Sequence, residues 1–296
     1  MQSEKSYKIG VIATLVGGVC WGFSGASGQY LFTQKGLSAD YVVSVRLITS
    51  GLIMLAYSLL RYGWASFGAL RSWQDFGTLC IYGIFGLILA QWAYFYSIEL
   101  SNAAVATTIQ YSVPAFLLAI ECLRFRRLPS LIEIVALVAA MGGVFLLSTH
   151  ASLASLAISP KALAMCLLCI FGVIVYTLAP TNLNRRHPLS ANLALAMILG
   201  GAVLAVCVRA WELDGVSDAS GAWAMASVVV VGTVFAFGLF MYGVSTIGAA
   251  KASLLAAVEP VAAAVFSAVW LGDRFVVWDY AGFGLILACI WLLRKG

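Results

Sequence analysis

What this chain has little of narrows it first. Asp, Glu, Lys and Arg make up only 10% of its 296 residues against 62% hydrophobic, and the mean hydropathy is +0.99. One soluble core cannot hide that much apolar surface, so the solvent has to be lipid. Histidine occurs twice, as His150 and His187, and both flank apolar runs. With no HExxH, no Ser/His pair inside an apolar run and no intramembrane Asp pair, the chemistry that intramembrane enzymes use is missing and a non-enzyme is expected. No GxxxxGK[ST] loop occurs, which argues against direct ATP drive by this chain. Polar and apolar residues do not alternate in stretches such as 81–90 and 285–293, which excludes a β-barrel. No metal or cofactor is expected.

What is present is a series of apolar runs of about 18 to 24 residues, each matching a hydrocarbon core of about 30 Å at 1.5 Å per residue. Lipid offers no hydrogen bonds, so the runs must be helices. The expected spans are near 9–32, 41–60, 76–98, 103–123 and 131–148, then, after a loop with His150 and Pro160, near 162–179, 190–209, 223–244, 249–271 and 277–293. The fold class is therefore an all-α membrane protein of ten transmembrane helices. Its seven cysteines all fall in or at the ends of apolar runs, and even the Cys166–Cys169 CxxC pair reads as small packing residues rather than redox or metal ligands. Lys5 and Lys8 before an apolar stretch mimic a signal peptide, but the stretch 9–32 is long enough to span and is needed as the first helix.

The net charge of +5 does not point to nucleic acid, because the basic residues sit in short loops between spans. With the N-terminus in the cytoplasm, Lys5, Lys8, Arg61, Arg71, Arg124, Arg126, Arg127, Arg185, Arg186, Lys251, Arg294 and Lys295 lie on the inner side. Lys35, Lys161, Arg209 and Arg274 lie outside, with Arg46 intramembrane. That asymmetry predicts a multi-pass protein of the cytoplasmic membrane with both termini cytoplasmic.

Laid on itself at an offset of 146, the chain repeats: Gly86 meets Gly232, Tyr96 meets Tyr242, Ala103 and Ala104 meet Ala249 and Ala250, Thr107 meets Ser253, Pro114 meets Pro260, and Glu133 meets Asp279. The two copies are expected over 9–148 and 160–293. Five helices per copy is an odd number, so the second enters the membrane in the opposite sense, giving two inverted five-helix repeats. An inverted repeat supplies two conformations of similar energy, because the halves can exchange shapes, and so suits alternating access to a site near midplane.

Pro114 lies about 11 residues, or roughly 16 Å, into its helix, and Pro260 lies at a similar depth from the other face. Each removes a backbone donor and frees a carbonyl, of Gln110 and Ala256, so the pair reads as helix breaks with a gating role or as simple kinks. Glu259 precedes Pro260, and a carboxylate at the bilayer centre costs about 3 kcal/mol, so it should face the bundle interior. Lys251 is about 12 Å along the helix and roughly 80° around it, too far for a direct pair. Glu259 then needs a partner on another helix, a water-filled cavity or a proton, and reads either as a coupling residue or as a packing residue bonded to kink-exposed backbone. Gln110 and Tyr111, Gln91 and Tyr94 at i and i+3, Trp21 with Ser24, and Tyr176 are candidates to line a substrate cavity, each with packing as the plain alternative. Arg46 reads as a helix anchor that snorkels outward, with anion binding as the second reading. Glu121 and Arg124, at i,i+3, read as a solvated pair.

The segment Asn102-Ala-Ala-Val-Ala-Thr-Thr-Ile-Gln110-Tyr111-Ser-Val-Pro114 and its counterpart Gly248-Ala-Ala-Lys251-Ala-Ser-Leu-Leu-Ala-Ala-Val-Glu259-Pro260 resemble the EamA transporters of the drug/metabolite transporter superfamily. Trp21-Gly22, Arg46 and the acid after Leu271-Gly272, where the family often has glutamate and this chain has Asp273, add to the resemblance. It implies ten helices, cytoplasmic termini, a central cavity between the halves, and export or exchange of small metabolites such as amino acids; the expected partners are a small-molecule substrate and the lipid bilayer, with protons added if Glu259 is a coupling residue. No phosphate-binding Lys/Arg cluster like that of related sugar-phosphate carriers is evident. Cargo and oligomeric state are not specified by the resemblance.

Overall fold

The computed structural model describes residues 2–100, 103–152, 159–271 and 275–294; Asn102, Gly272, Asp273, Arg274 and Lys295, which the sequence singled out, lie outside them. The described secondary structure is helical throughout. In chain order it runs α1 (Gln2–Lys35), α2 (Ala39–Tyr62), α3 (73–100), α4 (103–125), α5 (Leu131–Thr149), α6 (Pro160–Leu178), α7 (Leu189–Cys207), α8 (219–247), α9 (249–271) and α10 (Val277–Arg294). Among the described residues nine helices are long and apolar enough to cross a membrane, and the tenth carries the shorter apolar stretch Val277–Leu293.

Boundaries differ from the hydropathy reading where a polar cap extends a helix. The first turn of α8 begins four residues before Trp223, because Asp218 accepts the Gly221 N–H at 3.0 Å and closes an otherwise unsatisfied end. Ser130 and Glu133 form a reciprocal capping box at the start of α5. Arg126, at φ 50°, ends α4 in the left-handed region.

The outer surface is apolar to a degree no water-soluble fold tolerates, with Leu60 90% and Trp73 and Leu128 each 88% exposed. Inside, small residues let backbones meet. A Cβ on Gly83 would lie 2.5 Å from the Ala196 carbonyl oxygen, and one on Gly200 would lie 2.7 Å from that of Gly83, so α3 and α7 touch main chain to main chain.

The principal pairs are α1 with α8, α3 with α6, α2 with α7, and α5 with α10. Exchanging the halves, so that each helix takes the number five higher or lower, turns α1–α8 into α6–α3 and leaves α2–α7 and α5–α10 unchanged. These four pairings thus map onto themselves, as a two-fold relation between the halves requires. Local irregularities repeat as well. The π-helical turn of α3 at Ile81–Ile88, carried forward by 146, covers 227–234 and overlaps the one in α8 at Val230–Phe235. The break in α4 after Gln110 falls 146 residues before the break in α9 at Ala256.

The turn between α4 and α5 is tied by charge. Arg127 donates to both oxygens of Glu133, at 2.7 and 2.8 Å, and to Glu121 at 3.1 Å. Glu121 therefore pairs with Arg127 and not, as its spacing suggested, with Arg124, whose guanidinium lies 5.9 Å from the Phe125 ring centroid. The two carboxylates hold the Arg127 guanidinium more firmly protonated. Because the network is partly solvated, Arg127→Gln is expected to cost about 1 kcal/mol, and the loss should shrink in high salt. Thermal unfolding at low and high ionic strength measures this, and a salt-independent loss would mean that the side chain acts by packing.

Candidate functional site

The two broken helices cross at the centre. In α9 the break is followed within three residues by Glu259, and the Ala256 carbonyl that Pro260 frees is taken up by the Glu259 N–H at 2.9 Å. One lone pair of that carbonyl is thus satisfied within the helix. In α4 the break leaves Tyr111 at the crossing, where its hydroxyl donates to Glu259 Oε2 at 2.9 Å. A phenol donating to a carboxylate is a charge-assisted hydrogen bond that links the halves at their meeting point.

Around this bond lies a cavity of about 50 Å³ lined by Trp21, Gln110, Tyr111, Val113, Pro114, Val173, Tyr176, Phe240, Ser253, Ala256 and Glu259. Of the residues singled out from sequence, Trp21, Gln110, Tyr111, Tyr176, Pro114 and Glu259 come together here, while Pro260 stays in the helix wall behind Glu259. Trp21 is placed by Phe237 and Phe240, each 5.1 Å away between ring centroids, and Tyr176 packs against the same two rings at 5.6 and 6.3 Å. Trp21 and Ser24 do not act as a pair: Ser24 is buried against Gly232 of α8, as Tyr176 is against Gly86 of α3.

Gln91 and Tyr94 do not line this cavity. The Tyr94 hydroxyl is bonded to Thr107 at 2.9 Å, and Gln91 is buried with both amide atoms lacking a protein partner. Phe240 and Ser253 take their places. Sequence reasoning passed over both, although at the 146-residue offset Phe240 is the counterpart of Tyr94 and Ser253 of Thr107.

Arg46 is only 8% exposed and does not snorkel to the surface as the sequence suggested. Its Nε donates to Thr233 Oγ1 at 3.2 Å, and that hydroxyl donates in turn to the Val228 carbonyl at 2.8 Å within the widened turn of α8. The anchor is therefore inward, onto α8. Arg46 and Glu259 lie within electrostatic reach of one another but form no ion pair. Lys251 is turned away from Glu259 and donates to the Tyr7 hydroxyl at 3.3 Å. The Cys166 and Cys169 side chains are buried, with the Cys169 thiol directed at the Ala90 carbonyl.

The described residues pack differently on the two sides of this centre. A second cavity, a vestibule of about 320 Å³, lies between the 113–125 half of α4, the end of α6 and the α8–α9 turn, lined by Leu117, Glu121, Arg124, Thr177, Asn184, Arg185 and Gly248 among others. This is the face of Arg124 and Arg185. On the opposite face α1 lies tightly against the 258–271 half of α9. A Cβ on Gly22 would stand 2.6 Å from the Ala262 Cβ, the Ala263 nitrogen and the Glu259 carbonyl oxygen, and the Phe23 and Phe266 rings are 5.1 Å apart. The symmetry counterpart of this contact, α6 against the 113–125 half of α4, is where the vestibule stands open.

Each face also carries a charge tie at an equivalent place, between the end of a first helix and the start of the third helix of the other half. On the closed face Lys35 of α1 meets Asp218 at the start of α8 at 2.5 Å. On the open face Arg186 and His187, beyond α6, meet Asp75 of α3 at 2.7 and 2.9 Å. Lys35, Ser220 and the Gly221 N–H hold the Asp218 carboxyl down at about 2. The tie is therefore fully present above the ordinary value of 3.8 and is lost only as pH falls through about 2.

The chain matches the EamA-like transporter family over residues 8–149 and 159–295. It is 32% identical over 291 residues to the uncharacterized inner membrane transporter YicL of Salmonella typhimurium, covering 97% of this chain and 96% of that protein. It is 24% identical to the uncharacterized transporter YcbK of Bacillus subtilis, covering 96% and 94% respectively. A solved crystal structure superposes with a TM-score of 0.75 at 15% identity over 98% of this chain and 96% of that one, which shows the shared fold alone.

Proposed function

This chain belongs to the EamA-like transporter family, and from that premise we propose that it is a secondary transporter, an exporter or exchanger, of small polar metabolites such as amino acids, working by alternating access across the cytoplasmic membrane. One observation carries the reading: a polar centre where the two halves cross, with a vestibule on one side, between α4 and α6, and a tight helix contact at the symmetry-related place on the other, between α1 and α9. Exchange of shapes between the halves would close the vestibule and open the opposite face. In this reading the Arg124 and Arg185 face is cytoplasmic, by the excess of Lys and Arg on that side, and both termini lie there. Trp21, Gln110, Tyr111, Tyr176 and Glu259 contact the substrate, Gln91 and Tyr94 support the cavity, and the breaks at Pro114 and Pro260 serve as hinges. Glu259 is the group that exchanges protons when transport is coupled.

Solute counterflow with the purified chain in proteoliposomes tests this. Saturable exchange of a labelled amino acid mixture above that of empty vesicles is expected, whereas none from demonstrably folded protein would favour a receptor or scaffold. An uncoupled facilitator would use the same cavity, and its flux would ignore an imposed pH gradient.

A further inference from the structure

We propose that the central cavity selects a monocationic organic ammonium with an aromatic or aliphatic body over a zwitterion or an anion of the same shape. This rests on the reading of the chain as a transporter and names the cargo of that same site. The cavity lining contains one carboxylate, Glu259, and no Lys, Arg or His. Tyr111 occupies Glu259 Oε2, and Oε1 accepts no hydrogen bond from the described residues. An ammonium group is the partner such an oxygen lacks. Trp21, Tyr111, Tyr176 and Phe240 line the same space, and aromatic rings attract cations as well as apolar bodies.

The two-fold relation sets the charge count. The counterpart of Glu259 is Val113, which also lines the cavity, so the centre offers one negative charge and not two. A substrate carboxylate would meet Glu259 with no lining cation to receive it, and an unpaired charge in so desolvated a place is costly. Arg46 is the cation in electrostatic reach of Glu259, but its Nε is held by Thr233 and its side chain is not part of the lining. Arg124 and Arg185 stand at the wide mouth of the vestibule, where water and salt screen them within about 8 Å. The 50 Å³ centre is of a size to receive an ammonium head group.

The experiment compares 2-phenylethylamine, phenylalanine and 3-phenylpropionate, which share a phenyl body and differ in charge, as ligands of the purified full chain in nanodiscs near neutral pH, by calorimetry. The amine is expected to bind tighter than phenylalanine by about tenfold or more, and 3-phenylpropionate to bind more weakly than either. Glu259→Gln, which keeps the shape of the side chain, should weaken the amine by about tenfold or more, and by more than it weakens phenylalanine. Phenylalanine or 3-phenylpropionate binding as tightly as the amine, an unchanged amine affinity in Glu259→Gln, or no binding of the amine, overturns the proposal. The readout is separate from transport: the expected order of binding without any flux would sink the transporter reading and leave the cavity assignment standing, while flux of amino acids with the order reversed would do the opposite.

Discussion

Glu259→Gln is expected to remove the response of transport to an imposed proton gradient while the ten helices stay assembled. The amide has nearly the same shape and keeps an oxygen to accept the Tyr111 hydroxyl, so the bond that joins α4 and α9 at 2.9 Å survives. What it cannot do is change charge. A carboxylate at the bilayer centre carries a cost of about 3 kcal/mol that the neutral amide largely avoids, so the variant should unfold no earlier than the parent chain. The expected result is uphill accumulation reduced by about tenfold or more, with downhill exchange partly retained. Gradient-driven accumulation that survives intact in Glu259→Gln would place coupling elsewhere and leave Glu259 a packing residue.

The second large effect is expected at Gly22. A valine there would put its Cβ within 2.6 Å of the Ala263 nitrogen and the Glu259 carbonyl oxygen, which are backbone atoms and cannot swing aside. Either α1 or the 258–271 half of α9 must move, at a cost of about 1–3 kcal/mol in a packed interior. A bias of that size shifts a two-state equilibrium by roughly 5–150-fold, here away from the arrangement closed on the Phe23–Phe266 face. Exchange flux should fall by about tenfold or more in Gly22→Val, with the variant still folded and the central cavity more accessible from that face. Gly25→Val is the control, since nothing lies within 4 Å of the Cβ it would carry. Equal flux in the two variants would show that the α1–α9 contact is not a closure.

The span count, the doubled copy and the midplane helix breaks were legible because each rests on a strong local signal. Lipid demands long apolar helices, and proline announces a break wherever it occurs inside one. The lining was only half legible. Gln91 and Tyr94 were placed on one face of α3 by counting i and i+3, but the π-helical turn at Ile81–Ile88 just before them changes the rotation per residue, and α3 carries that face away from the cavity. Phe240 escaped notice because it reads as one more apolar residue, and only the 146-residue offset to Tyr94 marks it. Arg46 misled for another reason: distance from a helix end suggests snorkelling, while the acceptor it finds, Thr233, is supplied by a helix 187 residues away in sequence. Which contact is open and which closed cannot be read from a sequence in which both halves carry the same kind of break.

The central claim is that one midplane cavity is reached in turn from both faces. Ser253 lines that cavity and is 9% exposed, which makes it the position to probe. In a chain whose seven cysteines have been replaced, Ser253→Cys in sealed vesicles of known orientation is treated with a membrane-impermeant thiol reagent from one side or the other. Labelling is expected from both sides, faster from the Arg124 and Arg185 face, with bound substrate slowing both reactions. Labelling that remains confined to one side under every condition, including in Gly22→Val, would contradict it.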